Sequence, residues 1–172
     1  MALSVESANL VRQRAVNAVE NASPYVQEAL KAFFRWWATH KGNNDLQFLA
    51  IDPTTAITGD GQDFGVDAAH QVYFVYVRKT GTDGVGNATD SYLQVIDDAD
   101  NDSELRADVR ITAGLLEAGD TFVAAYPDGL PMAEGIVVTF STTPAGAQAG
   151  DSDVYTQSAA ADAGPGFIII GA

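Results

Sequence analysis

The chain has 172 residues, no cysteine, and 23 Asp/Glu against 9 Lys/Arg, for a net charge of −14. Its length fits one domain or one domain with an appendage, and a hydrophobic content of 47% can support a core. Disulfides, thiolate metal sites and cysteine nucleophiles are excluded, and so few cations argue against nucleic acid, whose phosphates are held by Lys and Arg.

The charge is unevenly spread. Residues 1–41 hold five of the nine Lys/Arg and three of the 23 Asp/Glu, a net of +2, whereas residues 42–172 carry −16. The residue pattern changes at the same place. We therefore read residues 1–42 as a helical N-terminal arm of two amphipathic helices, and residues 43–172 as an acidic antiparallel β domain. An acidic surface keeps a crowded protein soluble. The opening Met-Ala-Leu-Ser-Val-Glu lacks the basic and apolar regions of a secretory leader. No run approaches the roughly 18 apolar residues of a spanning helix.

Residues 5–22 have a helical period. Val5, Ala8, Val11, Ala15, Val16, Ala18, Val19 and Ala22 share one side, with Ser4 as the expected N-cap. Leu10 and Arg12 break the pattern. The apolar side is rich in small residues, so a neighbour can approach closely. Ser23-Pro24 restarts the helix, because a proline at the first helical position lacks only an N–H that has no partner there anyway. From Tyr25 to Thr39 one broad face holds Tyr25, Val26, Ala29, Leu30, Phe33, Phe34, Trp36 and Trp37. The opposite face holds Gln27, Glu28, Lys31 and Arg35. Gly42-Asn43-Asn44 is a stop signal.

Beyond Asp45 the period becomes two, or gives way to short apolar runs. Strands are expected at Leu46–Ile51, Gln71–Arg78, Tyr92–Ile96, Ala107–Thr112, Thr121–Tyr126, Gly135–Thr142, Val154–Gln157 and Phe167–Ile170. Turn signals such as Asp100-Asn101-Asp102 and Pro127-Asp128-Gly129 separate them. The expected fold is mainly β with N-terminal α-helices, an antiparallel β-sandwich or jelly-roll-like barrel. Val72, Phe74 and Tyr76 alternate with Tyr73, Val75 and Val77, so this strand is expected at the centre, covered on both sides. Phe167-Ile168-Ile169-Ile170 is too apolar to hang in water and is expected to dock, on its own subunit or on a neighbour.

The candidate partner-binding residues follow from this pattern. Phe33, Phe34, Trp36 and Trp37 are large aromatics of the kind that dominate interface hot spots, though an amphipathic helix more often covers its own core. Phe167, Ile168, Ile169 and Ile170 are the second set. Asp98, Asp100 and Asp102 match the first three ligands of a calcium loop. The match then fails, because Ser103 stands where the turn glycine belongs and Val109 where the bidentate Glu belongs, so a solvated turn is the expectation. With two histidines, His40 and His70, and no cysteine, neither a His-based metal site nor a nucleophilic triad is expected. No Gly-x-Ser-x-Gly or phosphate-loop motif occurs. No cofactor is called for, and no residue set names a reaction.

The arm up to Trp37, the Cys-free acidic β region, and turns such as Thr80-Gly81-Thr82-Asp83-Gly84 and Thr142-Thr143-Pro144-Ala145-Gly146 together resemble tailed-bacteriophage virion proteins. Capsid decoration (cement) proteins are the nearest group. The resemblance implies no catalysis, location in the virion, attachment to capsid or other virion subunits, and homo-oligomers, trimers among them. An alternative from the residues alone is a carbohydrate- or cell-surface-binding β module, with Tyr73, Tyr76, Tyr92 and Tyr126 as stacking platforms.

Overall fold

The structure is a computed structural model that describes residues 7–41, 46–51, 62–64, 70–78, 91–97, 109–116, 120–141 and 166–171. Two helices come first, α1 (Ala8–Ala18) and α2 (Pro24–His40). Eight strands follow: β1 (Leu46–Ile51), β2 (Gln62–Asp63), β3 (His70–Arg78), β4 (Ser91–Ile96), β5 (Val109–Leu116), β6 (Thr121–Met132), β7 (Val137–Ser141) and β8 (Gly166–Gly171).

Ser7, not Ser4, caps α1, its hydroxyl accepting from Leu10 N at 3.4 Å. Ser4 lies outside the described residues. The buried stripe is narrower than the sequence suggests: Ala8, Val11, Ala15 and Val19 are buried, while Val16 and Ala18 are exposed. Those four recur every three or four positions, the spacing of a single helix face. The Gln27 side-chain amide donates to Ala22 O at 2.9 Å and to Glu20 O at 3.3 Å, tying the start of α2 to the turn. Val26, Leu30, Phe33, Phe34 and Trp37 form the buried face of α2.

The strands form two antiparallel four-stranded sheets, ordered β1-β8-β3-β6 and β2-β7-β4-β5. This is the strand order of an eight-stranded jelly roll. The mainly β expectation therefore holds, and the sheets face each other across an aliphatic core. Leu49, Ile51, Val72, Val75, Val77, Ile168 and Ile170 from the first sheet meet Leu93, Val95, Ile111, Ile136 and Val138. The helices cover the other face of the first sheet, making a helix–sheet–sheet stack.

β3 is central, as expected, between β8 and β6, and β8 is central too, between β1 and β3. The apolar tail is thus an internal strand of its own subunit. Leu46 pairs with Gly171 and Ile51 with Gly166, so β8 zips along the whole of β1. A glycine is required at 166, since a Cβ there would stand 2.6 Å from Tyr76 O.

Two irregularities matter. β3 bulges at Tyr73, because Val72 pairs with Ile170 and Phe74 with the adjacent Ile169. Tyr73 and Phe74 consequently both face the helices, while Val72 and Val75 face the other sheet. In β6 the ladder to β3 skips from Ala125 to Leu130, so Pro127-Asp128-Gly129 marks an excursion within one strand rather than a turn between two. Gly129 sits at φ 80° over the Gln71 side chain, where a Cβ would collide.

β5 runs Val109–Leu116, two residues later at its start than expected. β2 carried no sequence signal, being only Gln62–Asp63 paired to β7. The strand expected at Val154–Gln157 lies outside the described residues.

Candidate interaction surface

The helical layer presents two unlike sides. Its inner side is aromatic. Phe33 meets Phe74 at 5.5 Å between ring centroids, and Trp37 meets Tyr73 edge-on at 4.7 Å. Phe167 on β8 stacks against Phe48 at 4.8 Å and packs on Tyr76 at 5.4 Å. Such pairs add about 0.5–1.5 kcal/mol each beyond the area they bury. Of the candidate contact residues, Phe33, Phe34, Trp37 and Phe167 to Ile170 are buried inside the subunit, at 6% exposure or less. Trp36 is half-buried and stacks on His40 at 5.0 Å. The two candidate sets meet: Phe167 and Ile169 join Phe33, Phe34 and Trp37 in one cluster, while Ile168 and Ile170 belong to the inter-sheet core.

The outer side is polar and cationic, with a few apolar points. The exposed large hydrophobics among the described residues are Leu10, Val16 and Tyr25, all in the helical layer. A groove of about 190 Å³ runs between the helices, lined by Val16, Asn17, Val19, Glu20, Gln27, Leu30 and Lys31. A second, shallower depression along α1 includes Asn9, Arg12 and Val16. Glu28 lies between two cations, 2.9 Å from Lys31 and 3.7 Å from Arg35. The Lys31 hydrogen bond and charge hold its carboxyl below the usual range. Arg14 reaches inward instead, its guanidinium 4.7 Å from the Phe48 ring centroid. The sequence pattern marked Leu10 and Arg12 as breaks. That irregularity is the signal of an outward face, and it was legible only as a misfit.

The proposed sugar platforms are displaced. Tyr73 and Tyr76 are 4% and 3% exposed beneath the helices, so no ring can stack on them. Burial raises both phenols above their ordinary pKa, with Arg78 pulling Tyr76 partly back. Tyr126 is half-buried against the inter-sheet core, and its phenol is likewise raised by burial. The side chain of Tyr92 lies outside the described residues.

Asp98, Asp100 and Asp102 also lie outside the described residues. Their neighbour Asp97 is described, and it serves the fold. At 3% exposure it accepts Glu134 N at 2.8 Å and Gly135 N at 3.4 Å, pinning the β6–β7 connection to the end of β4. No group of three His, Asp or Glu suited to a metal occurs among the described residues. His40 ends α2 and His70 opens β3. No described helix is long and apolar enough to cross a membrane.

No family model, no curated protein and no solved structure matches this chain.

Proposed function

We propose that the chain is a non-enzymatic structural protein of a virion, a capsid decoration protein that acts through contacts with capsid subunits. The observation that carries this reading is the polarity of the molecule. A strongly acidic, cysteine-free two-sheet body carries on one sheet a helical layer holding five of the nine Lys/Arg. An acidic body repels its neighbours and stays soluble at high density, while the helical layer supplies the side that can approach another protein. The aromatic cluster then shapes this layer from beneath, and Arg12, Val16 and the interhelical groove make the contact.

The test is to read the genes flanking this one for a major capsid protein and to co-sediment the chain with empty capsids assembled from the protein so found. Stoichiometric pelleting is expected. Arg12→Glu combined with Val16→Asp should reduce it without changing the melting temperature. Protein that stays in the supernatant, or a genomic neighbourhood without capsid genes, would overturn the reading. Binding on a glycan array without capsid binding would favour the carbohydrate-binding alternative.

A further inference from the structure

We draw no further inference here: the strongest candidate, the apolar strip along one flank of α2 where Tyr25, Ala29, Ala32 and Trp36 stay exposed or half-buried beside the face that packs on the first sheet, carries nothing because nothing in the structure shows what covers it.

Discussion

The two faces of the β1-β8-β3-β6 sheet are packed by different chemistry. Against the second sheet, its buried residues are Val, Ile and Leu with Met132. Against the helices, they are Tyr73, Phe74, Tyr76 and Phe167 with Leu46 and Ile169, met by Phe33, Phe34 and Trp37 on α2 and by Ala8 and Ala15 on α1. Sheets meet about 10 Å apart, a gap that β-branched side chains fill from both sides. The helical layer solves another problem. It rests on one face only, so a few large rings must hold it, and small residues on α1 let that helix sit low. The difference teaches that the helices are an adherent layer, whereas the inter-sheet core is what makes the strands a unit.

The strongest way to break this comparison is to remove residues 166–172. β8 belongs to both cores, with Ile168 and Ile170 on one face and Phe167 and Ile169 on the other. Because it also separates β1 from β3, its loss should abolish cooperative folding altogether. A truncated chain that still gives a sigmoidal melt by circular dichroism would contradict its central place.

Next come single truncations, one per layer. Trp37→Ala should cost about 3–5 kcal/mol and Ile168→Ala about 2–5 kcal/mol in denaturant unfolding. Native-state hydrogen exchange sharpens the contrast. Trp37→Ala should release the amides of α1 and α2 first, leaving Val95 and Val138 protected, whereas Ile168→Ala should lower protection in both layers together. If the two variants gave the same exchange pattern, the helices would not be a separable layer.

The smallest effect is a pH dependence. Tyr73 and Tyr76 have raised pKa values in the folded state, mainly from burial. A raised pKa means the folded state holds its proton more tightly than the unfolded chain. The resulting stability is fully present below the unfolded value of about 10 and is lost as pH rises through the higher folded values. Chemical denaturation at neutral pH and above pH 10 should show the decline, and Tyr73→Phe with Tyr76→Phe should flatten it. An unchanged decline in the double variant would assign it to other groups.

Much of this architecture was legible in the sequence. The Leu46–Ile51 strand fell at its observed bounds, because an apolar run between turn residues has few alternatives. The central place of β3 followed from its two apolar faces. What escaped had physical causes. The two-residue β2 is too short to show any period. The continuation of β6 past Pro127 was hidden because Pro-Asp-Gly reads locally as a turn, and only the partner strand decides that the ladder resumes at Leu130. For the contact residues the limit is more basic. A hydrophobic stripe shows which side of α2 is apolar, but not whether its cover is the chain's own sheet or another molecule. That is settled by long-range contacts such as Phe33 with Phe74.

The bulge at Tyr73 behaves like a frameshift in the strand's alternation. Before it, Val72 faces the second sheet. After it, Val75 and Val77 do, on positions of the opposite parity. Removing Val75 or Tyr76 would exchange the two faces for part of the strand, sending valines towards the helices or aromatics into the aliphatic core. Removing either Tyr73 or Phe74 leaves one helix-facing aromatic between Val72 and Val75 and restores strict alternation, as the consecutive partners Ile170 and Ile169 require. In evolutionary terms, β3 has one step, Tyr73-Phe74, where a codon can be lost without scrambling its two faces, and that step lies beneath Trp37 and Phe33.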